Sequence, residues 1–261
     1  MLGGAGSGLR NGSPGEAGLT ERGVAAIGAA ASAGLTEATA ETGRPYYPGY
    51  VVLAGCGDVV ALHEAGGDVL RYADREGTEL AAGQRIATRP DTVFDIASIS
   101  KLITSIAVMQ QVQDGALELD RPVAGYLPAF GAAGKGSITL RRLLTHTSGL
   151  PADPDPALWT YPTATDRVAA VHSTVPVAAP GAAYCYSDIN LMALALLVQH
   201  ACGATLDAVV GDRITGPLAM ADTGYRPAAP RERIAPTEYE HDPDRGLVWG
   251  GVHDENARSL D

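Results

Sequence analysis

At Pro90 the hydrophobic pattern of this chain changes its period. Before it, Gly49-Tyr50-Val51-Val52-Leu53-Ala54 and Val59-Val60-Ala61-Leu62-His63 are short runs rich in β-branched residues, joined by Gly55-Cys56-Gly57-Asp58. Such runs around a glycine-containing turn read as a β-hairpin, and residues 69–73 extend the pattern to a third strand. Upstream, residues 19–42 are alanine-rich, with Val24, Ile27, Ala31 and Leu35 at helical spacing and Thr20 placed to cap. The glycine- and serine-rich start is expected to be unstructured over its first dozen or so residues.

Beyond Pro90 the signals are helical. An apolar segment opening at Phe94 and stopped by Gly115 predicts one helix of four to five turns. A shorter helix is expected over residues 139–145, a proline-rich surface loop over 151–162, and a second long helix over 189–202 with Gly203 as its stop. The organisation this implies is α+β: an antiparallel sheet with its flanking helix in residues 1–90, a helical subdomain in 91–215, and a segment 216–261 that returns toward the sheet.

Composition narrows the function. With 46% hydrophobic residues over 261 positions the chain can bury a sizeable core. A formal charge of −11 argues against nucleic acid and anionic membrane as partners. The longest apolar run, residues 189–198, is too short to span a bilayer. Cys56, Cys185 and Cys202 match no zinc-ligand spacing and are expected to be free thiols; the six histidines form no closely spaced ligand pair, so no metal is expected. The first 18 residues lack the apolar core of a secretory signal, so the chain as written is expected in the cytoplasm, or exported if an upstream signal has been removed.

Only two of the 19 basic residues are lysines, the other 17 being arginines, and one lysine, Lys101, stands three places after Ser98 at the head of an apolar segment. With 11 serines in the chain, chance supplies such a pair roughly 0.1 times. Residues three apart share a helix face, so the amine can reach the hydroxyl. A serine needs a neighbouring base to become a nucleophile. A lysine can be that base if burial disfavours its ammonium form, so an uncharged amine is expected at Lys101. Unpaired N–H groups at the start of the helix can hold a developing oxyanion. Read structurally, Ser98 is a helix cap and Lys101 a solvated charge.

A second group is Tyr184-Cys185-Tyr186-Ser187-Asp188-Ile189-Asn190. On residue type alone, Asp188 reads as an N-cap and Tyr186 as a half-buried aromatic with a satisfied hydroxyl.

Together, residues 94–101, Leu143-Leu144-Thr145-His146-Thr147-Ser148-Gly149-Leu150-Pro151, Tyr186-Ser187-Asp188 and Pro217-Leu218-Ala219-Met220 resemble, in order and spacing, the serine β-lactamase and D-alanyl-D-alanine-peptidase superfamily. The nearest branch is the class C β-lactamase-like serine hydrolases, which include peptidases, family VIII-type esterases and β-lactamases. The resemblance implies a β-lactamase/transpeptidase-like α+β fold. It also implies acyl-enzyme chemistry on an ester, peptide or β-lactam carbonyl, needing no cofactor, with Ser98 as nucleophile, Lys101 as its proton acceptor and Tyr186 passing a proton to the leaving group.

Asp188 falls on the substrate-binding asparagine of the class C pattern. An ionised carboxylate only accepts hydrogen bonds, which weighs against β-lactamase activity. The resemblance makes His146 part of a supporting turn; it extends to His253-Asp254-Glu255-Asn256 without assigning that segment a role, and a charged loop near the site entrance is the default reading there.

The superfamily's third motif, of Lys-Thr-Gly or His-x-Gly type, has no counterpart before Leu260-Asp261. The expectation is therefore a chain lacking C-terminal strands of its sheet, weakly active or inactive, and self-associating through an uncovered sheet edge. Two other readings stand beside the hydrolase: a non-catalytic penicillin-binding-like module, and an inactive fragment with a purely structural role.

Overall fold

The computed structural model describes residues 8–40, 43–226, 228–241 and 244–260. The first seven residues of the expected unstructured start, residues 41–42 of the expected first helix, and Asp261 lie outside the described residues. The chain divides into two compact units, Met1–Asp95 with Leu218–Gly251, and Ile96–Pro217 with Val252–Asp261.

In the first unit β1 (Arg10–Asn11), α1 (Glu21–Ala33), β2 (Gly49–Cys56), β3 (Val59–Leu70) and β4 (Ile86–Ala87) follow one another. The sheet runs β1-β3-β2, with β4 also on β3. Gly57, at φ +61°, takes the left-handed position of the two-residue turn between β2 and β3. Gly55 lies at a register shift, where a Cβ would stand 2.2 Å from the Val59 carbonyl oxygen, so only glycine fits.

Three expectations are corrected here. The sheet is not wholly antiparallel, because β1 pairs with β3 in parallel, and Arg10, at 3.1 Å from Asp58 and 3.2 Å from Glu16, ties down a start expected to be loose. The third strand over 69–73 does not exist separately. β3 instead runs on through Gly66 and Gly67, which still pair with β2, while β4 pairs with Asp68 and Leu70.

The first helix stops at Ala33, and the Tyr47 ring fills the space where a side chain at Gly34 would stand. Its start follows expectation, with the Thr20 hydroxyl accepting from the Gly23 N–H at 3.1 Å. A second small sheet pairs β5 (Glu238–His241) with β6 (Asp244–Val248), which the sequence reading did not anticipate.

The second unit holds α2 (Ser100–Gln113), α3 (Leu140–Leu144), α4 (Ala164–Ser173), α5 (Asp188–Cys202), α6 (Leu206–Val210) and α7 (Glu255–Ser259). α5 is apolar around most of its circumference because it is the central helix: Ile189, Leu191, Met192, Ala193, Leu194, Leu197 and Val198 are all buried. Gly203, at φ +63°, ends it in the left-handed conformation. Around it pack Ala107 and Val108 of α2, Leu140 and Leu143 of α3, Val171 of α4, and Phe130, Leu150 and Leu158 from the connections.

Lys135 is buried in this core region, its Nζ donating to the carbonyls of His172 and Thr174 at 2.7 Å each, where α4 ends. Burial holds its pKa below the ordinary lysine value.

The segment at His253 is not a charged loop. Asp254 caps α7 by accepting from the Ala257 N–H at 2.7 Å, and the Asn256 amide donates to Asp153 at 3.3 Å, so these residues fasten a short helix. No single helix among the described residues is long and apolar enough to cross a membrane.

Candidate active site

The helix carrying the serine and lysine begins later than expected. Residues 94–96 are not helical, Ala97–Ile99 form one 3₁₀ turn, and α2 starts at Ser100. Ala97 enters that turn at φ +44°, a conformation that costs a residue with a Cβ roughly 1–3 kcal/mol. The Ser100 hydroxyl ties the turn down, donating to the Ala97 carbonyl at 2.5 Å. At three residues per turn, positions i and i+3 stack directly. The spacing therefore serves its purpose without an α-helix at Ser98: the Lys101 Nζ donates to the Ser98 Oγ at 2.8 Å.

Lys101 also meets the two other residues singled out in the sequence. Its Nζ lies 2.9 Å from Asp188 Oδ1 and 4.9 Å from the centre of the Tyr186 ring. The other three sequence-predicted site residues, Ser98, Tyr186 and Asp188, thus converge on the Lys101 amine. The amine is mostly shielded, with the Lys101 and Asp188 side chains 17% and 19% exposed, while Ser98 and Tyr186 are exposed.

Asp188 is the first residue of α5 rather than its cap; the cap position is Ser187. Its carboxylate is directed at Lys101, and its N–H donates to the Ala152 carbonyl at 2.8 Å.

This arrangement overturns the expected uncharged amine. Burial by itself lowers the Lys101 pKa, but Tyr186 and the Asp188 carboxylate more than offset it, and the net shift is upward from the ordinary lysine value. At neutral pH Lys101 is an ammonium that donates to Ser98 and to Asp188. Sequence reasoning weighed burial and could not weigh a carboxylate 87 positions downstream.

Beneath the four residues lies a layer built on the His146 turn, which the resemblance implied to be a support of the site but whose contacts the sequence did not specify. His146, at φ +55°, stacks on Tyr186 with ring centres 4.7 Å apart and planes at 28°. Its Nδ1 accepts from the Ser187 N–H and lies 3.1 Å from the Asn190 Nδ2, and its carbonyl accepts from the Cys185 N–H at 2.9 Å. Ser148 closes the layer, donating to Asn190 Oδ1 at 2.6 Å and accepting from the Leu150 N–H at 3.1 Å. Burial first, then the Lys101 charge, lowers the His146 pKa, while Asp188 opposes them. The signal was present in His146-Thr147-Ser148, but the contact with Tyr186 spans 40 residues of sequence.

Cys56, Cys185 and Cys202 are free thiols. Among the described residues no group of three or more His, Cys, Asp or Glu side chains is placed to hold a metal ion.

The Beta-lactamase family pattern matches residues 24–259. Over 224 residues the chain is 31% identical to esterase EstB of Burkholderia gladioli, covering 77% of this chain and 54% of that protein. Over 238 residues it is 28% identical to a protein provisionally named a D-alanyl-D-alanine carboxypeptidase in Escherichia coli O157:H7, covering 81% and 54%. The octameric penicillin-binding protein homologue of Pyrococcus abyssi shares the fold, with a TM-score of 0.66 at 20% identity, covering 91% of this chain and 52% of that one. The chain spans about half the length of the curated relatives it matches.

Proposed function

The chain belongs to the Beta-lactamase family, and from that membership we propose that it is a serine hydrolase working through an acyl-Ser98 intermediate. Ser98 Oγ attacks a carbonyl carbon, and its proton passes to Lys101 as the Lys101 ammonium gives one up to Asp188. Tyr186 gives its phenol proton to the leaving group as the old bond breaks, and the proton now on Asp188 returns through Lys101 to the phenol. Water then resolves the Ser98 ester by the same route in reverse.

The observation that supports this reading is the placement of one ammonium nitrogen 2.8 Å from Ser98 Oγ and 2.9 Å from Asp188 Oδ1. A proton arriving from the serine then has somewhere to go without leaving a free charge in a shielded place.

Among ester, peptide and β-lactam carbonyls, an ester fits best. Asp188 stands where an asparagine amide would donate to a β-lactam carbonyl, and a carboxylate held by Lys101 has no proton to donate. An alkoxide leaving group also needs less assistance than an amine. The relative named an esterase is in keeping with this preference.

Covalent labelling by a fluorophosphonate, with turnover of a short-chain p-nitrophenyl ester, tests the proposal. Ser98→Ala is expected to abolish labelling and to lower turnover on the order of 10⁴-fold or more. Reversible probe binding without covalent label would make the chain a binding module instead. Indifference to both Ser98→Ala and Lys101→Ala would leave it a structural role alone.

A further inference from the structure

We infer that His146 is the positioning residue for Tyr186, and that it holds the segment before α5 in its working arrangement only while its Nδ1 is unprotonated. The catalytic part of this inference rests on the serine hydrolase reading; the structural part does not.

Three consecutive residues are gripped by this one histidine. Its carbonyl takes the Cys185 N–H at 2.9 Å, its ring stacks on Tyr186 at 4.7 Å, and its Nδ1 takes the Ser187 N–H at 3.1 Å. The Asn190 amide also points its Nδ2 at that nitrogen from 3.1 Å, an orientation supported by the Ser148 hydroxyl, which donates to Asn190 Oδ1 at 2.6 Å. Ser148, Ser187 and Asn190 are fully buried, so no solvent replaces a lost partner.

A proton on Nδ1 would face two N–H donors. Turning over the Asn190 amide relieves one of these clashes and leaves the Ser187 N–H, a fixed backbone group, pointing at a proton. The imidazolium form therefore pushes the 185–187 segment away from His146, and Tyr186 moves with it.

The charged and titratable groups facing the ring are Lys101 from α2, Asp188 from α5, and the Tyr184 and Tyr186 phenols between them. Lys101 opposes protonation and Asp188 favours it; with burial added, the balance falls on the neutral side. The ring is therefore expected to gain its proton below the ordinary histidine value. Activity should fall through that range as the pH is lowered, and the folded state should lose stability over the same interval, since the unfolded chain binds the proton first.

Two substitutions separate the roles. In His146→Asn an amide oxygen stands near the place of Nδ1, the residue does not titrate, and asparagine tolerates the left-handed backbone found at His146. Its rate of Ser98 labelling is expected to stay within several-fold of wild type near neutrality, with the acid limb of the profile gone. His146→Phe keeps a ring for Tyr186 and removes the acceptor. It is expected to label about tenfold more slowly at all pH values.

Histidine and amide NMR of the unsubstituted chain supplies a readout that needs no turnover: the Ser187 amide and Tyr186 ring resonances should shift together with the His146 titration. Tyr186 resonances that stay still while His146 titrates, or an acid limb in His146→Asn identical to wild type, would overturn the inference. A wild-type chain that titrates as expected but never labels at Ser98 would refute the hydrolase reading while upholding the structural coupling.

Discussion

In the helical unit, Phe130, Leu140, Leu143, Leu194 and Leu197 are wholly withdrawn from solvent, whereas in the sheet unit even the deepest described side chains, Val59, Val60 and Val248, keep 3%, 4% and 4% of their surface exposed. The helical unit is organised around one apolar helix that its neighbours enclose. The sheet unit relies on the long β2–β3 ladder, one helix fastened by tyrosine hydroxyls, and ion pairs at its surface. Every residue assigned a catalytic part belongs to the densely packed unit. A constellation that must hold an ammonium within hydrogen-bond reach of two partners requires supports that do not shift, and close packing supplies them.

The contrast can be broken most directly at Phe130. Phe130→Ala removes a fully buried ring and is expected to cost about 3–5 kcal/mol of stability, read as a large fall in the denaturation midpoint. A loss below about 1 kcal/mol would mean that the helical core is much looser than its burial indicates. A smaller effect is expected at Val60→Ala in the sheet, about 1–2 kcal/mol from the two carbons removed. Native-state hydrogen exchange sharpens the comparison, because β2 and β3 amides should exchange through openings of lower free energy than those of α5.

The smallest effect is expected at Arg10→Ala. It breaks contacts to Asp58 and Glu16 between side chains half exposed to solvent, and should leave the denaturation midpoint nearly unchanged. A larger loss would show that β1 is essential to the sheet.

The sequence was most legible where chemistry depends on short spacing. Ser98 and Lys101 meet as their separation implied, even though the turn between them is 3₁₀, because both helix types bring residues three apart onto one face. The α5 boundaries and its glycine stop were readable for the same local reason.

What escaped was decided at a distance. The charge on Lys101 depends on Asp188, and the late start of α2 depends on a left-handed residue, Ala97, that no propensity favours. The parallel pairing of β1 rests on two residues and carries no periodic signal. α4 was missed although its cap was in plain view, with Thr163 accepting from the Asp166 N–H at 3.1 Å.

Both lysines of the chain are occupied, one as the hub of the site and the other enclosed against the end of α4. The remaining 17 basic side chains are arginines, whose guanidinium groups stay protonated at any pH a folded protein survives. Surface cations on this molecule are therefore insensitive to alkali. Reagents that seek primary amines, such as activated-ester dyes or aldehyde fixatives, find no freely solvated lysine side chain to modify. Side-chain coupling that does occur would report on the surroundings of Ser98, turning routine bioconjugation chemistry into a probe of that site.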